Sequence, residues 1–125
     1  MIKSKKTLWE LFSKKIRQRD ADHEGYITCP SCLRTYEWQD SDCGHFIENT
    51  ERKKDWGGNE LWYDERNFRA QCRGCNTFNS AWAKREWTAR FIEEHGLELY
   101  KELKRLHQTP KKWTPEMVHK ILEEL

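Results

Sequence analysis

The reading turns on one stretch, from Cys29-Pro30-Ser31-Cys32 through Asp42-Cys43-Gly44-His45 to Cys72-Arg73-Gly74-Cys75-Asn76. Each CxxC pair can present two thiolates from a tight turn, and two pairs roughly forty residues apart supply the four ligands of a closed tetrahedral zinc shell. His45 lies between the half-sites, and Asn76 directly follows the last cysteine. The arrangement predicts a zinc-stapled loop that holds a second, catalytic site. Unrelated reduced cysteines are the bland alternative, but two independent CxxC turns rarely arise together without a metal. Cys43, left over, reads as a small buried side chain.

The rest of the composition agrees with a stapled fold. The chain has 125 residues, of which 36% are hydrophobic and 35% charged, so the core must be modest and one domain over 1–125 is expected. Structural zinc contributes about 10–16 kcal/mol of binding free energy in small peptides, and that energy becomes folding energy. The start, Met1-Ile2-Lys3-Ser4-Lys5-Lys6, is charged and no apolar segment follows it, so no signal peptide is expected. No run approaches transmembrane length. Paired CxxC spacing with an odd cysteine count fits reduced, metal-bound thiols, which points to the cytoplasm.

The net charge of +2 conceals a pattern. Lys3, Lys5, Lys6, Lys14, Lys15, Arg17 and Arg19 make the first segment basic, acids collect in the middle, and Arg66, Arg69, Arg73, Lys84, Arg85 and Arg90 restore positive charge. Basic flanks around an acidic centre suit a phosphate-gripping surface around a metal site. Solvated helix faces would look the same, and charge alone does not separate the two.

Periodicity sets the expected elements. Leu8, Phe12 and Ile16 predict a helix over 7–20. Tyr26-Ile27-Thr28 and Arg34 to Trp38 read as an antiparallel knuckle hairpin, and Cys43 to Asn49 as the next strand. A polar excursion ends in Gly57-Gly58-Asn59, read as a turn, before a return strand at Leu61-Trp62-Tyr63. A loop at Asp64 to Asn67 leads to a helix starting near Cys75. Ala83, Trp87 and Phe91 mark a helix that stops at Gly96, and Leu99, Tyr100, Leu103 and Leu106 mark its successor. Thr114-Pro115 caps a last helix whose apolar face is Met117, Val118, Ile121, Leu122 and Leu125. The expected fold is α+β: a zinc-bound ββα core over 26–80, an N-terminal helix at 7–20, a helical pair at 81–107 and a C-terminal helix at 114–125.

A lone histidine is usually structural, but His45 sits among acids between the zinc half-sites. A neutral imidazole there could take a proton from water attacking a phosphodiester. Asn76 and a nearby carboxylate could hold one hard divalent cation, magnesium or manganese, to neutralise charge on the scissile phosphate and the leaving 3′ oxygen. Arg52, Lys53 and Lys54 could grip a phosphate backbone, or could form a solvated loop. Trp56 or Trp62 could stack on unpaired bases, whereas Trp9, Trp82 and Trp87 read as core from their helical placement. His23, His95, His107 and His119 show no partner pattern.

At these residues the chain resembles the zinc-stapled ββα-metal (His-Me finger, HNH-like) nucleases, and it is similar to phage endonuclease VII in having Asn directly after the second CxxC. It is more similar still to the phage NinG/Rap recombination family. The likeness lies in Leu11-Phe12-Ser13, Arg17-Gln18-Arg19-Asp20, Asp42-Cys43-Gly44-His45-Phe46-Ile47, Asp64-Glu65-Arg66-Asn67 and Gln71-Cys72-Arg73-Gly74-Cys75-Asn76. It covers roughly residues 8–107 and leaves the last helix outside. It implies a metal-dependent, structure-specific DNA endonuclease acting on branched recombination intermediates such as Holliday junctions or D-loops. His45 would be the general base, Asn76 a catalytic-metal ligand and Asn67 the residue that fixes the loop and orients His45. Many HNH nucleases have Asp directly before the histidine, where this chain has Gly44. Asp42, which shares the strand parity of position 44, is then the first carboxylate candidate, ahead of Asp40. Arg66, Arg69 and Arg73 join Arg52, Lys53 and Lys54 as candidate DNA contacts. The alternatives are a non-catalytic zinc module for nucleic acid or protein, and an HNH nuclease of restriction or packaging. A homodimer would suit symmetric strand cutting, with the last helix pairing with its copy or else packing on its own domain.

Overall fold

In the computed structural model, helix α1 (Lys5–Asp20) is the platform for the other elements. The structure describes residues 1–49, 56–78 and 80–125. Ser4 caps α1 by accepting the Thr7 N–H at 3.3 Å, and Leu8, Phe12 and Ile16 are fully buried along one face. Strands β1 (Tyr26–Thr28) and β2 (Thr35–Glu37) pair antiparallel, with Ile27 opposite Tyr36. The first CxxC forms the knuckle between them. Leu33 adopts a φ of +63° there, while its N–H reaches the Cys29 carbonyl at 2.9 Å.

A 3-10 turn at Trp38–Asp40 leads into β3 (Ser41–His45). The strand is shorter than the expected Cys43–Asn49 because the chain turns away after His45. Strand β4 (Gly57–Asn59) follows, and β5 (Phe68–Cys72) runs antiparallel to β3, pairing Asp42 with Gln71 and His45 with Phe68. The second CxxC opens helix α2 (Arg73–Thr77), completing a strand–strand–helix unit. The C-terminal end of α1 is tied to this unit. The Asp20 carboxylate accepts the Ala70 N–H at 2.7 Å, and Arg19 donates to the Phe68 carbonyl at 2.7 Å.

Two expectations in this region are corrected. The return strand is Phe68–Cys72, not Leu61-Trp62-Tyr63, which forms a buried turn closed by the Leu61 N–H on Asn59 Oδ1 at 2.9 Å. Gly57-Gly58-Asn59 is a strand instead of a turn. It pairs antiparallel with β6 (Pro110–Lys112). The Trp62 indole lies so close over Gly58 that a Cβ there would stand 2.3 Å from the ring, so glycine is required by the packing.

Helix α3 (Ser80–His95) buries Ala83, Trp87 and Phe91, and Gly96 (φ +88°) turns the chain into α4 (Leu97–His107). Phe46, Leu61, Trp87, Phe91 and Leu103 form one apolar cluster. Thr114 caps α5 (Pro115–Glu124), and Val118 and Leu122 join Leu8, Phe12 and Ile16 in the other large cluster. The last helix therefore packs on α1 of its own chain. Trp82, read as core, is 43% exposed, whereas Trp62 is buried and unavailable for stacking on bases. No helix among the described residues is long and apolar enough to cross a membrane.

Candidate functional site

The two CxxC turns meet between the β1–β2 knuckle and α2. The sulfurs of Cys29, Cys32, Cys72 and Cys75 lie within 4.8 Å of one another, and Cys32 Sγ stands 3.9 Å from Cys72 Sγ. Tetrahedral zinc at about 2.3 Å from each sulfur sets sulfur pairs about 3.8 Å apart. The cluster is thus compatible with a structural zinc ion. Burial pushes the Cys29 and Cys75 thiols up, while at Cys32 burial is outweighed by the Arg34 N–H and the neighbouring cysteines, bringing it to about 7. A bound dication would favour the thiolate at all four positions.

Around this cluster the polar groups are accounted for. Ser31 donates to the Ala83 carbonyl at 2.9 Å and accepts from Gln71 Nε2 at 3.1 Å, while Arg90 donates to the Pro30 carbonyl at 2.8 Å. The first knuckle is thereby bolted to α3 and β5.

Beside the cysteines, Asp42 and His45 of β3 and Arg73 and Asn76 of α2 line one cleft of about 570 Å³. Helix α1 lines the same cleft with Trp9, Ser13 and Arg17. The Asp42 carboxylate accepts from Arg73 Nε and from Asn76 Nδ2, each at 3.2 Å. A carboxylate and an amide thus stand side by side in a solvent-open cleft, an oxygen-donor set that suits a hard divalent cation retaining several waters. Asp40 is exposed in the preceding 3-10 turn and does not line the cleft. A carboxylate at position 44 would have to displace the Gln71 side chain, since a Cβ there would stand 2.3 Å from Gln71 Oε1 and 3.1 Å from the Gln71 Cβ.

The His45 imidazole is half-buried, stacked on Trp9 and edge-on to Phe68 with ring centroids 4.8 Å apart. Asn67, fully buried, grips the loop that follows. Its Oδ1 accepts the Ile47 N–H at 2.8 Å and its Nδ2 donates to the Ile47 carbonyl at 3.0 Å. The contact is with Ile47, two residues past the histidine, so any orienting effect on His45 is exerted through the backbone.

The other candidate DNA contacts are distributed differently. Arg73 reaches the cleft, but Arg66 is paired with Asp64 at 2.7 Å and Arg69 is half-buried, donating to the Phe68 carbonyl at 2.7 Å. Burial lowers the Arg69 pKa. Arg52, Lys53 and Lys54 lie outside the described residues. Sequence reasoning gave Ser13 no role of its own, read Arg17 only as one of the basic flanking residues, and took Trp9 for core alone. Lys84, read only as one of the basic flanking residues, has its Nζ donating to the carbonyls of His45 at 2.6 Å and Phe46 at 2.5 Å.

Fold and cleft together define a small α+β protein built on a four-cysteine, zinc-compatible ββα unit. Residues 3–125 match the family described as Bacteriophage Lambda NinG protein, and the chain belongs to that family. The match includes α5, so the last helix is part of the family pattern and not an addition to it. Comparison with curated proteins and with solved structures finds no match.

Proposed function

We propose that the chain is a metal-dependent endonuclease that hydrolyses phosphodiesters in branched DNA. The observation that supports this most directly is the convergence of Asp42, His45 and Asn76 on one cleft beside the four-cysteine cluster. In this reading the ββα unit is of the His-Me finger, HNH-like type. The preference for branched recombination intermediates rests on the likeness to the phage recombination nucleases.

His45 takes a proton from a water whose oxygen attacks phosphorus, the bond from phosphorus to the 3′ oxygen breaks, and that oxygen is protonated from solvent. The products carry 5′-phosphate and 3′-hydroxyl ends. Asp42 and Asn76 would hold one magnesium or manganese ion, which when bound neutralises charge on the scissile phosphate and leaving oxygen. Before that, the amide of Asn76 and the guanidinium of Arg73 keep the Asp42 carboxylate turned into the cleft. Arg73, with Arg17 across the cleft, is suited to the flanking phosphates. The enzyme would act in the host cytoplasm. Two copies would serve symmetric cutting, but pairing through α5 would first have to free Val118 and Leu122 from α1.

The test is cleavage of a synthetic four-way junction beside matched linear duplex, with magnesium, manganese or EDTA, by the native protein and His45→Ala. Cation-dependent junction cutting that disappears in the variant is the expected result. Full cutting by His45→Ala removes the proposed base. Tight junction binding without cutting under any cation makes the chain a non-catalytic zinc module.

A further inference from the structure

The chain leaves β3 at His45, and the way it leaves links the apolar core to the cleft. The Phe46 ring is buried, stacked on Phe91 at 4.1 Å and 14°, while the preceding His45 ring lies in the cleft. The peptide between them is the pivot on which the imidazole's direction depends. Its polar groups are held from two sides. The Phe46 N–H donates to the Asn67 carbonyl at 2.7 Å, and the Asn67 side chain takes both backbone groups of Ile47. The remaining two carbonyls, of His45 and Phe46, both accept from Lys84 Nζ. Consecutive carbonyls of an extended strand point to opposite sides, so one ammonium can bind both only where the strand has ended.

Lys84 is committed to this place. Its side chain is one-third exposed, Glu48 Oε1 lies 3.8 Å from its Nζ, and that Nζ also stands 5.1 Å from the Trp87 ring centre. An ammonium withdrawn this far from water needs compensating acceptors, and the two backbone carbonyls provide them.

We infer that Lys84 is a positioning residue for His45, the second half of a clamp whose first half is Asn67. It acts through the His45 peptide and does not bind DNA. The inference rests on the nuclease reading above. Displacing a reacting group by about 1 Å can cost on the order of a hundredfold in rate. Removing an acceptor-bound ammonium from the pivot is expected to cost at least about tenfold by the same effect.

The experiment compares junction cleavage by native protein, Lys84→Met, Lys84→Arg, His45→Ala and the double variant His45→Ala/Lys84→Met, each checked for zinc content and cooperative melting. The expected result is a kcat lowered at least about tenfold in Lys84→Met with junction Kd unchanged, recovery of most of that loss in Lys84→Arg, and no further loss in the double variant beyond His45→Ala. An unchanged kcat in Lys84→Met overturns the inference, as does a weakened Kd, which would make Lys84 a phosphate contact. Should Lys84→Met fail to fold, Lys84→Gln, which retains an N–H donor, takes its place. A folded Lys84→Gln with native kcat equally overturns the inference, and an intermediate loss supports it. If His45→Ala is fully active, the nuclease reading fails on its own account. If His45→Ala is inactive and Lys84→Met is not impaired, only the clamp fails.

Discussion

The imidazole of His45 and the indole of Trp9 are stacked, with ring centroids 5.3 Å apart and planes 17° from parallel. The contact joins the first turns of α1 to the end of β3, so the helix that carries the core also fixes one face of the candidate base. A flat aromatic partner restrains the ring's rotation and so helps hold the imidazole in the cleft. Trp9→Leu should therefore lower junction cleavage by about tenfold, and because the indole also meets Phe12, Tyr63 and Phe68 it should cost about 2–3 kcal/mol of stability. Trp9→Phe should keep most of the activity. Single-turnover rates beside urea melts decide the matter, and equal proportional losses in both would make Trp9 a packing residue alone.

Zinc should bind in a 1:1 ratio and should be lost more readily in acid. Burial raises the Cys29 and Cys75 thiols, so without metal they are protonated at neutral pH. Metal ligation requires thiolates and so releases those protons, and affinity falls as pH falls. Proton release on titrating zinc into metal-free protein in two buffers of different ionisation enthalpy measures this directly. Chelation should also abolish cooperative melting of the ββα unit, because the metal-binding energy is folding energy.

Cys43 should behave unlike the other four cysteines. Burial first, then the nearby Asp20 charge, push its thiol up to about 12, so at pH 8 it is a neutral thiol shielded from reagents. Iodoacetamide at that pH should leave Cys43 unmodified in the folded protein, and urea should expose it. Mass spectrometry of the peptide carrying Cys43 reads the outcome, and rapid native labelling would show that β3 opens easily.

The sequence made the helices and the metal cluster legible because each carries a local signature. The stripe Leu8, Phe12, Ile16 and the Thr114-Pro115 cap fall where α1 and α5 form, and the CxxC spacing marks the cysteines that meet. The return strand was misplaced because Leu61-Trp62-Tyr63 has the stronger β propensity. Phe68-Arg69-Ala70-Gln71-Cys72 carries the alternation that decides pairing with β3. Strands β4 and β6 were hidden by turn-forming glycines and by Pro110. Their pairing is fixed at long range, by Trp62 over Gly58 and by the Trp113 indole N–H on the Asn59 carbonyl at 2.8 Å. Of the cleft residues, Asp42, His45 and Asn76 are legible in the sequence motifs, and the structure brings them together. Arg17 and Lys84 are legible only as members of the basic flanks, because periodicity assigns polar helix residues to solvent and does not reveal which polar edge meets a neighbouring strand.

Gly44 and Gln71 form the last testable pair. They lie across β3 and β5, and the Gln71 side chain occupies the space in which a Cβ at position 44 would stand, 2.3 Å from Oε1 and 3.1 Å from its own Cβ. Gln71 is itself buried and held by Ser31, so it does not swing away freely. Gly44→Ala should cost about 1–3 kcal/mol, the usual range for overpacking. Gln71→Ala should carry its own cost from the lost Ser31 contact, and on that background Gly44→Ala should cost far less. A double-mutant cycle by urea denaturation measures the coupling. Gly44→Asp, which supplies the acid that many HNH nucleases have at this place, should lower stability and leave cleavage no higher than in the native protein. Should it instead raise cation affinity or cleavage, position 44 has room for a ligand and Asp42 loses its place as the carboxylate of the site.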